Sequence, residues 1–244
     1  MNVMRYAVEL TTLEPFRIGS PKSALSSIDN AMARSGGKVV VQGSSLKGAL
    51  RAAVERHLIE KYSNVEAMRP CIPSPQSLLS DEESALVKGG KFRGAGCQFP
   101  GVICPACYLL GAQGLVGFVR VPYLYTNAVP EEQYAVRIDR ARGTVVDRTN
   151  RTYQEIPKDV KFTGTLEVVI EDLLRGWKLG TARALSKDDR GAIRTPDKWL
   201  ENQPHESNEF LKEFIVDRLA AIQVLGGYKS KGLGGVKITV TEIK

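Results

Sequence analysis

The first clear pattern lies near the start of the chain. Tyr6, Val8 and Leu10 alternate with Ala7 and Glu9, which predicts a strand over about Met4 to Leu13. A loop carrying Arg17, Gly19 and Ser20 follows, and then the short β-branched run Val39 to Val41. Next, Leu46, Leu50, Ala53 and Val54 recur at helical spacing, and Leu58 extends the stripe. Ser44 or Ser45 is the expected N-cap, so the helix should run from near Ser45 to about Lys61. Periodicity fails from Ser63 to Gly114, a stretch holding several prolines, many glycines and every cysteine. Val116 to Val121 and Thr165 to Ile170 read as strands. After a polar stretch from Ser186 to Ser207, Ser207 or Asn208 should cap the best helix in the chain. Its stripe is Leu211, Phe214, Ile215, Leu219, Ile222 and Leu225, ended by Gly226-Gly227. Val236, Ile238 and Val240 alternate in a closing strand.

The order strand, helix, strand, arm, strand, helix, glycine loop, strand is close to βαββαβ. The predicted fold is therefore α+β: one ferredoxin-like domain over residues 1–244 carrying large insertions. These are a loop-rich segment at 63–115, an arm at 120–165 and a polar insertion at 186–207. No repeat of fixed period is visible, and no strand carries the aromatic run that would stack bases on the sheet.

With 43% hydrophobic residues the chain is globular in composition, and 34 Lys plus Arg against 27 Asp plus Glu give it a net charge of +7. That balance favours an acidic partner. No run of 18 apolar residues occurs, so no membrane span is expected. The opening residues lack the apolar core of a signal peptide, and the expected compartment is the reducing cytoplasm.

Candidate chemistry gathers in five places. The tail Gly226-Gly227-Tyr228-Lys229-Ser230-Lys231-Gly232-Leu233-Gly234-Gly235 sets Lys229 and Lys231 in a bare backbone that a polyanion could approach; a plain flexible turn is the alternative. In Gly43-Ser44-Ser45-Leu46-Lys47-Gly48-Ala49-Leu50-Arg51, the cations Lys47 and Arg51 oppose the helix dipole unless an anion sits at the helix start, where Ser44, Ser45 and free amides would also meet it. Between Arg137 and Arg151 five arginines, among them Arg137 and Arg140, face two aspartates around Gly143-Thr144, as in an exposed arm or hairpin. Cys104 and Cys107 form a CxxC knuckle that Cys71 and Cys97 would complete as a tetrahedral zinc site, with His57 as a possible replacement ligand and four reduced thiols as the alternative. Such a zinc would tie down an insertion that otherwise lacks a core. Asp29 stands in the polar loop Ser26-Ser27-Ile28-Asp29-Asn30, and a lone aspartate there is ordinarily a cap or turn residue; His205 is expected to be solvated.

Four segments resemble RAMP-superfamily proteins, specifically the Csm-type backbone subunit of type III CRISPR–Cas effector complexes. They are Arg17-Ile18-Gly19 with Ile28-Asp29-Asn30, the Gly43–Arg51 segment, Ile138-Asp139-Arg140 with Gly143-Thr144, and the glycine loop. The second is the most specific, and the last is common to all RAMP proteins. The resemblance implies a filament of copies wrapped on a guide RNA within a complex of other type III subunits. It also implies a thumb hairpin that interrupts the guide–target duplex, and an aspartate that cuts target RNA with Mg²⁺ or another divalent ion. By position that residue is Asp29. Arg17, Ser44, Ser45, Lys47, Arg51, Arg137, Arg140, Lys229 and Lys231 would hold the guide. Gln42 stands where proline is usual, Ser20 replaces a glycine, and Val145-Val146 after Gly-Thr departs from the pattern. The alternatives are a non-catalytic guide-binding backbone subunit, or a RAMP endoribonuclease that matures guide precursor through a general base such as histidine.

Overall fold

In the computed structural model, residues 1–20, 28–187, 193–201 and 205–243 are described. Strand β1 (Asn2–Thr12) buries Tyr6, Val8, Leu10 and Thr12 on one face, as its alternation requires. A two-residue strand β2 (Arg34–Ser35) pairs with β3 (Lys38–Val41), whose three valines are all buried. Helix α1 (Gly43–Lys61) then buries Leu46, Leu50, Val54 and Leu58. It opens earlier than predicted, on Gln42 as N-cap and without a side-chain cap, so neither Ser44 nor Ser45 fills that role. The cause is a close backbone crossing. A Cβ on Gly43 would lie 2.8 Å from the carbonyl oxygen of Val121 and 3.0 Å from that of Pro122, so the helix starts at the residue that can pass.

The insertion at 63–115 contains α2 (Asp81–Lys88), held by a reciprocal Ser80–Glu83 capping box, and α3 (Pro105–Leu110). All six residues of α3 are buried and extend the main core, so the insertion is not coreless as predicted. The predicted strand at 116–121 is shorter, β4 (Val119–Arg120), and continues as β5 (Leu124–Thr126). The arm proper is the hairpin of β6 (Glu131–Ala135) and β7 (Arg151–Glu155), narrower than the expected span of 120–165. Long strand β8 (Lys161–Asp172) pairs along most of β1, and β9 (Trp177–Lys178) folds back on its end. The polar insertion holds a small hairpin of β10 (Ser186–Lys187) and β11 (Ile193–Arg194), and residues 188–192 and 202–204 within it lie outside the described residues.

The last helical region runs as α4 (Ser207–Leu211), a π-turn over Lys212–Val216, and α5 (Asp217–Ala220). Its predicted stripe is buried throughout, although Ile222 and Leu225 lie beyond the helix end. Glu206 is the N-cap, because the Ser207 hydroxyl donates to the carbonyl of Leu179 instead. Strand β12 (Val236–Ile243) pairs antiparallel with β1.

The sheet order is β12-β1-β8-β5-β3-β2, with β4 and β9 also on β8. Strands β1, β4–β5, β8 and β12 with helices α1 and α4–α5 make the predicted ferredoxin-like βαββαβ core, and β2 and β3 extend its edge. The inward face of the sheet and both helical stripes form one continuous core. Beside it, Arg183 and Asp197 form an ion pair with both side chains 0% exposed, and Arg183 also lies 4.7 Å from the Tyr108 ring centre. His205, expected in solvent, is half-buried 5.5 Å from the ring of Phe210.

Candidate nucleic-acid interface and metal centre

The glycine loop, residues 226–235, is laced to the segment that follows β1. Gly227 N–H donates to Arg17 O at 2.8 Å, Gly234 N–H to Pro15 O at 2.9 Å and Leu225 N–H to Gly234 O at 2.9 Å. Gly226 (φ +96°) and Gly234 (φ +95°) leave no room for a side chain, since a Cβ would strike the carbonyls of Arg17 and Leu225 respectively. At the tip, Lys229–Lys231 forms one 3₁₀ turn between Tyr228 (φ +59°) and Gly232 (φ +83°), and both lysines are exposed. Lys231 Nζ sits 4.6 Å from the centre of the Tyr228 ring.

Beneath the loop lies Arg17. Its guanidinium carbon is 4.9 Å from the Tyr228 ring centre and 5.9 Å from that of Tyr153, and the two tyrosines meet edge to face at 5.6 Å. Arg17 is 5% exposed, and its Nε has no hydrogen-bond partner among the described residues. Expected to hold the guide, it is an interior cation between the glycine loop and the arm. Burial accounts for the difference: Phe16 is bonded to Ile156 in both directions at 2.8 Å, which draws the segment inward.

Asp29 stands at the foot of the same arm. Its Oδ2 accepts from the Thr152 N–H at 3.2 Å, Asn30 N–H donates to Thr152 O, and Gln154 N–H donates to Asn30 O, each of these last two at 3.1 Å. Tyr153, bridged to Asn30, is the residue that faces Tyr228. One surface thus collects Asp29, the arm base, Tyr153, Tyr228, Lys229 and Lys231. Ser26 and Ser27 of the Asp29 loop lie outside the described residues. Farther out, Asp139 folds the arm tip by accepting from the amides of Ala141 and Arg142, and Gly143 turns at φ +66°. Arg137 and Arg140 project into solvent there.

At the start of α1, Ser44 and Lys47 are exposed, and Ser45 is half-buried. Lys47 and Arg51 line a cavity of about 1050 Å³ with Cys71, Cys97, Arg120 and Arg175, and no residue of the glycine loop lines it. The start of α1 therefore borders a cavity that the glycine loop does not reach. Arg51 is turned from solvent toward the cysteines. Its Nη2 donates to Cys71 Sγ (3.2 Å) and O (3.3 Å), its Nη1 to Cys107 Sγ (3.4 Å), and its Nε pairs with Glu55 at 2.6 Å. Expected to hold the guide, Arg51 instead directs its guanidinium at the sulfurs of Cys71 and Cys107. Burial opposes the Arg51 charge, but Cys107, Glu55 and Cys71 more than offset this and keep it protonated.

Cys71, Cys97, Cys104 and Cys107 converge with their sulfur atoms all within 4.8 Å of one another, and no disulfide links them. Four thiolates at about 2.3 Å from a tetrahedral zinc lie about 3.8 Å apart. The Cys104–Cys71 and Cys71–Cys107 separations of 3.7 and 3.4 Å fit that edge. Hydrogen bonds from Cys104, Cys107 and Cys97 hold the Cys71 thiol well below its ordinary range, and the Cys104 contact lowers Cys107 to about 7. The other two thiols move the opposite way: contacts with Cys107, Cys71 and Cys97 push Cys104 well up, and for Cys97 the lowering by Cys104 is outweighed by Cys107, Cys71 and burial. Four converging sulfurs are a soft donor set of the kind zinc takes. His57 is not part of it: its Nε2 lies 2.7 Å from Glu213 Oε1, which also accepts from Lys61 at 2.8 Å and Tyr62 at 2.9 Å.

A family model described as the RAMP superfamily matches residues 9–237. The chain belongs to the RAMP superfamily. Among solved structures, it is similar to a chain of "Cryo-EM structure of the Type III-B Cmr-beta bound to cognate target RNA". The TM-score is 0.53 at 14% identity, over 99% of this chain and 61% of the other, so this RAMP chain spans about three-fifths of the matched one. No curated protein matches the sequence.

Three contributors to this RAMP surface were not singled out from the sequence: Tyr153, Tyr228 and Thr152. Tyr228 sits inside the glycine motif between Gly227 and Lys229, and an aromatic ring among residues chosen for a bare backbone is a usable signal. Tyr153 and Thr152 carry none, because their roles arise only from pairing across the base of the arm.

Proposed function

We propose that this RAMP protein is a guide-RNA-binding backbone subunit of a type III CRISPR effector complex, and that it cuts complementary target RNA at Asp29. Guide and target RNA, further copies of the chain and other type III subunits are its partners, in the cytoplasm. The observation that carries the reading is the meeting of Asp29, the arm base and the glycine loop on one surface. Lys229 and Lys231, with Lys47, Ser44 and Ser45 at the start of α1 and Arg137 and Arg140 on the arm, offer phosphate contacts that give affinity without sequence choice. Sequence choice then comes from pairing with the guide.

The Asp29 carboxylate suits Mg²⁺, which takes one or two carboxylates, substrate phosphate and water. When bound, such an ion would supply charge stabilisation at the phosphate undergoing cleavage. The Thr152 N–H fixes one carboxylate oxygen, which orients the group relative to the arm. The RNA supplies its own nucleophile: the 2′-hydroxyl gives up its proton to solvent as its oxygen bonds to the adjacent phosphorus, the bond to the 5′-oxygen breaks, and that oxygen takes up a proton from solvent. A 2′,3′-cyclic phosphate and a 5′-hydroxyl result. The cysteine quartet fits a structural zinc that joins α3 to the rest of the insertion. Precursor processing through histidine is disfavoured, because His57 is bonded to Glu213 and His205 packs on Phe210.

The test is to purify the chain with its co-purifying RNA, add a complementary strand, and assay cutting with and without EDTA. Asp29→Ala should abolish cutting, by a factor of about 10² or more, while guide RNA still co-purifies. Full-rate cutting by that variant overturns the catalytic assignment, and loss of all RNA from wild-type protein overturns the guide-binding one.

A further inference from the structure

Arg51 is the residue whose surroundings depart most from its sequence reading. Its Nη2 donates to the sulfur and carbonyl of Cys71 and its Nη1 to the sulfur of Cys107, while Nε stands 2.6 Å from Glu55 Oε1 as an ion pair without hydrogen-bond alignment. Little of the side chain, 15%, reaches solvent. Glu55 lies one turn farther along α1 and fixes the fork so that its other edge faces the sulfurs.

Four thiolates around Zn²⁺ carry a net charge of about −2. Enclosed beside a buried helix, such a charge is costly unless donors compensate it. Two backbone donors are present, Cys97 N–H to Cys71 Sγ at 3.4 Å and Cys104 N–H to Cys97 Sγ at 3.3 Å, but these are neutral. Arg51 is the one cation that donates directly to the quartet among the described residues. It also comes from a different element: the cysteines belong to the insertion, whereas Arg51 lies in the third turn of α1, one turn after Lys47.

We propose that Arg51 is the counter-cation of a zinc tetrathiolate, and that it thereby fastens the RNA-facing start of α1 to the cysteine insertion instead of contacting the guide. The proposal rests on the zinc reading above. Arg51 is a positioning residue in this scheme: it sets the stability of the cluster through the two sulfurs it touches. A lysine at this position keeps the charge but loses the fork, so it should restore part of the effect.

The experiment uses the full-length chain, with elemental analysis of the wild type first. One zinc per chain is expected, and none overturns the zinc reading and this proposal with it. Zinc transfer to a chromogenic chelator is then compared for wild type, Arg51→Met, Arg51→Lys and Glu55→Gln. Arg51→Met should hold zinc about tenfold more weakly, with Arg51→Lys and Glu55→Gln in between. Cobalt-substituted Arg51→Met should show shifted thiolate-to-metal charge-transfer bands, a change that a packing defect away from the sulfurs would not produce. Guide-RNA affinity of the metal-loaded variants at fixed salt should equal that of the wild type. Unchanged zinc retention across the series, with weaker RNA binding in Arg51→Met and Arg51→Lys, overturns the proposal and returns Arg51 to the guide. If Arg51→Met does not fold, Arg51→Lys decides: faster zinc transfer with normal RNA affinity supports the assignment, and normal transfer overturns it.

Discussion

Replacing Gly226 by alanine separates the two reasons a glycine can occupy the loop. The first is backbone conformation: at φ +96° an L-residue is strained by about 1 kcal/mol. The second is contact, because the Arg17 carbonyl oxygen fills the space a Cβ would take. That carbonyl accepts the Gly227 N–H at 2.8 Å, so displacing it also weakens a hydrogen bond of about 1–2 kcal/mol. Together the change disfavours the observed loop by about 2–3 kcal/mol. If this loop form is the one that meets RNA, affinity should fall by about 30- to 150-fold. Gly232→Ala is the matched control. It has φ +83° but nothing within 4 Å of a built Cβ, so only the conformational cost of about 1 kcal/mol, or about fivefold, applies. Filter binding of guide RNA at one salt concentration reads both variants. Equal losses would refute the role given to the Arg17 contact, and no loss in either would refute the loop as an RNA-binding element.

The double variant Lys229→Ala/Lys231→Ala should reduce the slope of log affinity against log salt by about 1.4, the value for two single-strand phosphate contacts, and titration at four salt concentrations checks it. Glu213 carries a pH prediction. Burial works against its charge, but hydrogen bonds from Lys61, His57 and Tyr62 outweigh that and lower its pKa from 4.5 to about 2. Its contribution to stability is present in full above the ordinary carboxylate range and fades as pH falls from about 4.5 toward 2. Glu213→Gln should therefore cost about 1–2 kcal/mol at neutral pH, discounted for its partial exposure, and the gap to wild type should close in acid denaturation.

Elements that bury one clean face were legible in the sequence. The period-two run of β1 and the Leu46–Leu58 stripe of α1 each face a single core, and local pattern suffices to locate them. Helix starts were read less well, because the first residue was decided by distant backbone: Gly43 against Val121, and Ser207 diverted to Leu179. Helix α3 was missed because it is buried on all sides and has no polar face to reveal a period. The four cysteines were legible as a set, since their chemistry depends on residue type and the structure brings all of them together. Arg51 was not. On the helix it sits one turn from Lys47 and looks equivalent to it, and only sulfurs 20 and 56 residues away distinguish the two. Arg17 misled for the same reason, with its tyrosine partners supplied by segments far along the chain.

The bonds that hold Asp29 and Asn30 run to the backbone of β7. Any swing of the hairpin carries the carboxylate with it, as a blade is carried by its handle. If Asp29 cuts as proposed and copies of the chain stand in a row on a guide, the spacing between cuts follows the stride from one hairpin to the next, whatever the sequence of the strand.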